Sequence, residues 1–447
     1  MSSPDLDLAA RLLDAARAAG ADAADVIVRQ DISVGIGVAE RALEEAERSE
    51  GREAGLRVLL GKRQACVSGA DLSDAALEGM AARAVALAKE APDDPYCGLA
   101  EPGQTGGHMD PSELDLVDPD DPPTPEALEA LAREGEDAAL EIKGISQVQQ
   151  ASASWGRTQV TLAASNGFSG AYARTSMGVG VSAIAGEGLG RERDFAGESR
   201  VHRADLPDAA WIGRRAAERA VAALNPRKPP GGAVPVLYDE RVASSLVMHL
   251  LGAANGSSVA RGASWLKDRM GEQVLPVGMG LIEDPLIVRG TSSRPFDAEG
   301  IAAKARPIVE AGRLVRWVLD LAAARQLGLE TTGNARRGTS SPPSPGTTNL
   351  RLTGEPTSRD ALLRDMGTGL VITSMIGSSV NPTTGAYSRG ASGFWVEGGE
   401  IAYPVNEITV AGSLPEMMKT LRAADDADPN RAIQVPSLLV EGLVIGA

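Results

Sequence analysis

The chain is poor in aromatic residues, histidine and cysteine. Phe, Trp and Tyr make up 3% of its 447 residues, so the cores have to be filled by Ala, Val, Leu and Ile within an apolar share of 43%. The three histidines, His108, His202 and His249, are far apart and none has a second His one helical turn away. A catalytic zinc site takes about three protein ligands, so these residues make a poor starting set for one. Cys66 and Cys97 stand outside any CxxC or Cys/His cluster, which fits a reducing compartment. Basic residues are outnumbered, 44 Lys and Arg against 60 Asp and Glu, for a formal charge of −16. An acidic surface repels phosphate backbones and anionic lipid, which argues against nucleic acid and membrane as partners. Long apolar runs are missing too: nothing approaches about 18 uninterrupted apolar residues, and the start, Met1 to Asp5, has neither a basic nor an apolar leader segment. These absences together read as a cytoplasmic protein. There is no G-x-S-x-G elbow, and the glycine-rich runs at 186–190 and 278–280 lack the spacing and the Lys of a phosphate loop.

At this length the chain should form two or three domains. The pattern predicts an N-terminal α+β unit over 1–95, with helices at 6–19 and 70–90 around alternating strand runs at 26–28, 32–38, 55–60 and 64–67. A Pro-, Gly- and Asp-rich stretch, 96–124, reads as a linker or long surface loop in which His108 is solvated. A second α+β unit follows over 125–225, with helices at 126–141 and 204–224 and strands between them. The phrase Ala-Asp-Leu-x-Asp-Ala-Ala starts at both Ala70 and Ala204, each time after strands and at a helix start. It points to a duplicated helix-strands-helix unit, with its Asp residues as caps. The run 225–232 is a second linker, and 232–447 reads as a β-rich C-terminal domain. The fold class is therefore α+β: an N-terminal α/β half with a possible duplication, then a β-rich domain built around one central helix.

That helix follows a buried-looking strand, 234–238. Asp239 is its expected N-cap and Gly252 its expected stop, with Val242, Leu246, His249 and Leu250 along one stripe. A hydrolytic metal helix carries two His about a turn apart with a Glu beside the first. This helix has one His and no Glu partner, and the bland reading of His249 is a hydrogen-bonded core residue. Two polar, glycine-containing loops can be read as the walls of a groove for an extended peptide. The first offers Asn255, Ser257, Ser258 and Arg261, and the second Asn381, Tyr387, Ser388 and Arg389. With His249 these are the candidate substrate-binding residues; well-capped turns are the alternative for the loops.

Several long phrases resemble the TldD/PmbA metallopeptidase family, in its PmbA (TldE) branch. They are Met248-His249-Leu250-Leu251-Gly252-Ala253 ahead of Asn255-Gly256-Ser257-Ser258, Asp284-Pro285, and Ser293-Arg294-Pro295-Phe296-Asp297-Ala298-Glu299-Gly300. The run from Thr384-Gly385-Ala386-Tyr387-Ser388-Arg389 to Phe394-Trp395-Val396-Glu397 and the run Ile408-Thr409-Val410-Ala411-Gly412-Ser413-Leu414 add to them. In the first half, Gly55-Leu56-Arg57-Val58 and Ser165-Asn166-Gly167-Phe168 extend the likeness to nearly the whole chain. The resemblance implies a cytosolic dimeric peptidase system acting on unfolded or extended peptides, associated with microcin maturation, antitoxin degradation and modulation of gyrase. It implies that the TldD-type subunit carries an HExxxH zinc helix and a later Cys ligand, while the PmbA-type subunit is its partner and lacks them. In the register that keeps Gly252, those His, Glu and His positions fall on Met248, His249 and Ala253, and no Cys follows in the C-terminal domain. The expectation is a subunit with no catalytic or metal-binding residue and no cofactor of its own, the zinc being held by a TldD-type partner; a homodimer is the other pairing. Two further readings stand beside it: a stand-alone hydrolase using His249 with a nearby Ser, and a peptide-binding homodimeric scaffold.

Overall fold

A computed structural model describes residues 4–446, apart from the side chain of Ser378. Met1 to Ser3, part of the start searched above for a leader, lie outside the described residues. The first half is one helix, three strands, one helix, written twice. The first copy is α1 (Pro4–Ala18), β1 (Ala23–Ala39), β2 (Ala42–Leu60), β3 (Arg63–Gly69) and α2 (Asp74–Glu90). The second is α3 (Pro125–Leu140), β4 (Ile145–Ala164), β5 (Ser169–Ala185), β6 (Glu192–Arg200) and α4 (Ala209–Ala222). All six strands form one sheet in the order β3-β2-β1-β4-β5-β6, with β1 and β4 antiparallel at its centre from Asp25↔Ala164 to Val38↔Ala151. The two copies thus meet strand to strand, and each core borrows from the other's central strand: Val34, Ile36 and Val38 of β1 lie under α3 and α4, and Ala163 of β4 lies under α1 and α2. Leu8, Leu12, Leu77, Met80 and Val85 pack on Val26, Val28, Leu56 and Val58, while Leu128, Ile212, Ala216 and Ala220 pack on Val148, Val179 and Val181.

The strands are longer than the apolar runs suggested. Val26–Val28 and Ile32–Val38 are parts of the single strand β1, and β2 begins at Ala42, before Gly55. The residues from Leu43 to Arg52 are exposed and mostly charged, yet they pair with β1 through Val38↔Leu43 and Gln30↔Arg52. Backbone pairing carries this extension without any apolar alternation to announce it. The helix caps also differ from expectation. Asp208 caps α4 by accepting from Trp211 N at 2.9 Å, but Asp74 lies inside α2, and Asp205 sits in a 3₁₀ turn, where it pairs with Arg289 at 3.0 Å.

The Pro-rich stretch between the two copies holds only a short 3₁₀ turn, Pro111–Leu114, but it is not free in solvent. Cys97, Ala100, Leu114 and Leu116 are buried in it. His108 is partly buried rather than solvated, edge-on to Phe168 at 5.9 Å and to Phe296 at 5.7 Å. The scarce aromatics gather around it, which explains why a glycine-flanked loop holds its imidazole in place.

The C-terminal half begins with β7 (Gly232–Tyr238), α5 (Glu240–Ala254) and α6 (Gly256–Ala260), then β8 (Gly280–Glu283), β9 (Arg306–Glu310), β10 (Arg313–Leu314) and α7 (Leu321–Leu327). The short pair β11 (Ala335–Arg336) and β12 (Ser344–Pro345) follows, then β13 (Leu350–Thr353) and α8 (Arg359–Met366). It ends with β14 (Gly369–Val380), β15 (Ala386–Glu397), β16 (Glu400–Ser413), α9 (Leu414–Lys419), β17 (Arg422–Ala423), β18 (Ile433–Gln434) and β19 (Leu438–Gly446). Strands β16-β15-β14-β7-β19 are neighbours in that order, and β19 pairs back onto β16 through Thr409↔Gly446, so the five close into a ring. Strand β7 shows the alternation that organises it. Val236 and Tyr238 face the core that holds α5, and Leu237 faces the one that holds α8. A second sheet, β10-β9-β8-β13-β18, shares the core of α5 through Leu281, Val309, Leu314 and Leu350. The whole is α+β. Among the described residues no helix is long and apolar enough to cross a membrane.

Candidate functional site

Helix α5 is the central element the sequence pointed to. Asp239 caps it by accepting from Arg241 N at 3.3 Å. Leu246, Val247, Leu250 and Leu251 are buried on its inner side. Gly252 does not stop it: the helix runs on to Ala254, because Ala253 and Ala254 bury against the core and repay the roughly 1 kcal/mol that an interior glycine costs. Asn255 then ends α5 and caps α6 in one step. Its Oδ1 accepts from Ser257 N at 3.0 Å and Ser258 N at 3.4 Å, while its Nδ2 donates to Pro345 O at 3.0 Å.

The candidate residues separate into two groups. His249, Tyr387 and Arg389 come together. The His249 and Tyr387 rings are edge-on, 5.9 Å between centroids. Tyr387 is buried in β15, its hydroxyl accepting from Tyr238 at 3.3 Å and donating to Met375 Sδ at 3.8 Å. The expectation of a hydrogen-bonded His249 fails: its Nε2 is buried without a partner. Burial, and then the nearby Arg389 charge, hold its pKa below the ordinary imidazole value, so the ring is neutral at pH 7. Burial pushes the Tyr387 hydroxyl up, and burial with the adjacent Tyr387 pushes Tyr238 well up. All three groups are therefore uncharged at neutral pH. Ser388 lies next in β15, half-buried.

The rest are elsewhere or otherwise engaged. Ser257 and Ser258 sit in the helix α6 and not in a loop, and Asn255 is occupied as a cap. Arg261 is exposed. Asn381 closes its own turn, accepting from Thr383 N at 2.9 Å and Thr384 N at 3.1 Å. The two polar segments do touch, through Trp265 N donating to Pro382 O at 2.9 Å, but the contact is a backbone one. Sequence reasoning missed Tyr238 and Met375, which hold the hydroxyl of the Tyr387 ring that stands beside His249; among so few aromatics, a buried Tyr at the end of a strand leading into the central helix was the available signal.

The arrangement does not fit the ion that the resemblance implies. On the zinc-helix positions, Met248 is 44% exposed, Ala253 offers no donor, and the remaining residue is a single imidazole set edge-on to the Tyr387 phenol. Among the described residues no three His, Cys, Asp or Glu side chains come together in a way that could hold a metal ion. Nor does a serine activate His249: Ser245, one turn before it, donates its hydroxyl to Val242 O at 2.6 Å, and among the described residues no hydrogen bond joins His249 to a serine.

Comparison with known proteins places this architecture. Residues 231–447 match the PmbA/TldA metallopeptidase C-terminal domain, 118–224 its central domain and 24–88 its domain 1. The chain is 34% identical over 426 residues to the metalloprotease PmbA of Escherichia coli O157:H7, covering 95% of this chain and 92% of that one. It is also 34% identical over 439 residues to the metalloprotease PmbA homolog of Haemophilus influenzae, covering 97% and 94%. A crystal structure from Bacteroides thetaiotaomicron, described as a candidate modulator of DNA gyrase, superposes with a TM-score of 0.91 at 25% identity over the full length of both chains. With three consecutive domain matches and relatives of this identity along nearly its whole length, the chain belongs to the PmbA/TldD metallopeptidase family.

Proposed function

We propose that this chain is a PmbA-type subunit without catalytic zinc, which pairs in the cytoplasm with a zinc-bearing TldD-type subunit and helps to enclose and guide extended peptides. The observation that carries this reading is the donor set on α5: Met248, His249 and Ala253 stand where ligands and base would be needed, and only one of them is a ligand type. Relatives carry the name metalloprotease; for this chain the activity is read as belonging to the assembled pair. Among the described residues His249 has no hydrogen-bonded serine and its Nε2 is buried without a partner, which speaks against the stand-alone hydrolase.

The test is zinc content and cleavage of an unfolded peptide, for this chain alone and mixed with a TldD-type partner, with native mass spectrometry to separate homodimer from heterodimer. A zinc-poor, inert chain that forms a heterodimer with peptidase activity supports the proposal. Stoichiometric zinc and turnover in the chain alone would overturn it, and a homodimer that ignores the partner yet holds extended peptides would favour the scaffold.

A further inference from the structure

A cavity of about 440 Å³ lies between the six-stranded sheet and the C-terminal half, with walls from β1, β4 and β5 on one side and the 291–298 and 336–339 segments on the other. In a chain of net charge −16 it is lined by arginine. Three of its guanidinia, Arg174, Arg294 and Arg336, form no ion pair among the described residues. Each is held instead by a backbone carbonyl: Arg174 by Ser293 O, Arg294 by Ala335 O at 2.8 Å, and Arg336 by Thr347 O at 3.1 Å. Arg294 is only 8% exposed, and because its Nη1 is the atom that donates to Ala335, its Nε and Nη2 are left buried with no partner. The Nε of Arg174 is buried and unpartnered as well. Burial and the mutual repulsion of the cluster lower the pKa of both Arg174 and Arg336. The carboxylate in the wall, Asp297, is directed elsewhere: it accepts Glu299 N at 2.9 Å, Ile301 N at 3.0 Å and Ala335 N at 3.0 Å.

Nε–H and Nη2–H lie on one edge of the guanidinium, the edge that grips a planar carboxylate through two parallel hydrogen bonds. Leaving that edge of Arg294 buried and unused is costly, and so is gathering three guanidinia with no direct ion pair, the Asp297 and Glu283 carboxylates acting on Arg294 and Arg336 only at a distance. Part of the wall beside the arginines is apolar, formed by Ile27, Val160, Leu162 and Phe296. We infer that this cavity binds the free C-terminal carboxylate of a peptide whose last side chain is apolar, with Arg336, the exposed one of the three, making the direct contact and Arg294 and Arg174 as supporting charges behind it. The volume suits one or two residues. The site is separate from helix α5 and does not depend on the subunit reading above, since binding is measured on this chain alone.

The test is calorimetric titration of the full chain with N-acetylated alanyl-alanyl-leucine, with the same peptide as its C-terminal amide, and with inorganic phosphate. The acid should bind and the amide should be weaker by ~10- to 100-fold, the range for losing a charge-assisted bidentate contact. Arg336→Gln, on an exposed residue, should lose a similar factor while folding normally, and Arg294→Gln should lose less. Equal affinity for acid and amide, no binding of either, unchanged affinity in Arg336→Gln and Arg294→Gln, or displacement of the peptide by phosphate at comparable concentration would each overturn the assignment.

Discussion

His249 shows how a residue can be placed on its helix and its contacts still be misread. Its place on the helix was legible from the spacing of Val242, Leu246 and Leu250, but its partner was not, because Tyr387 comes from a strand far along the chain. Asn255 went the other way. Asn-Gly-Ser-Ser reads as a loop until α6 is seen to begin there, and then the amide is a cap. The burial of His249 has a consequence that can be measured. Its folded pKa lies below the value of about 6.5 of a free imidazole, so the unfolded chain takes up the proton first. The stability held by the neutral ring is fully present above about pH 6.5 and is lost as pH falls through the folded value. With three histidines, ring NMR resonances can be assigned by substitution. His249 should titrate below about 6.5, and wild type should lose thermal stability more steeply than His249→Gln between about pH 7 and 5. A midpoint at or above the free value, or parallel stability curves, would mean that the ring is open to water.

Elements were more legible than contacts. Helices α2, α3 and α5 follow their apolar periodicity closely, whereas β2 runs through a charged stretch where side chains give no hint of the ladder. The packing of α3 on α4 depends on two glycines that periodicity leaves unexplained. A Cβ on Gly213 would stand 2.0 Å from the carbonyl oxygen of Gly135, so the helices touch backbone to backbone there. Gly213→Ala should therefore destabilise the protein by ~1–3 kcal/mol despite alanine's better helix propensity, because the helices must part. Gly79, exposed in α2 with nothing within 4 Å of its virtual Cβ, is the control. There Gly79→Ala should stabilise by ~0.5–1 kcal/mol. Chemical denaturation of both variants decides the matter, and shifts of the same sign would remove the close helix crossing as the cause.

At the scale of the molecule, the sequence showed the repeated half and the change to a β-rich half, but not how the halves are held together. One fastening is a buried cluster that no local pattern reveals, since Asp25 and Arg337 are 312 positions apart. Asp25 in β1 takes Arg57 from β2 on one oxygen, with Nε at 2.8 Å, and Arg337 from the C-terminal half on the other. The side chains of Asp25 and Arg57 are each 3% exposed and that of Arg337 is fully buried. Burial pushes the Asp25 carboxyl up, but the Arg337 and Arg57 guanidinia more than offset this and hold it below the ordinary carboxylate range. Its contribution is thus complete above about pH 4 and is lost as pH falls through the folded value. Asp25→Asn leaves two guanidinia buried without the carboxylate that pairs them and should cost ~3–5 kcal/mol. Because the cluster spans both halves, the loss falls on their docking, and calorimetry should resolve two transitions in the variant where wild type shows one. Asp31→Asn, at the exposed Arg29 pair on the same strand, should cost about 0–1 kcal/mol and leave the melt undivided. If Asp25→Asn cost no more than Asp31→Asn, or if it lowered the melting temperature without dividing the transition, the halves would be held by their apolar contacts and the buried charges would be incidental to docking.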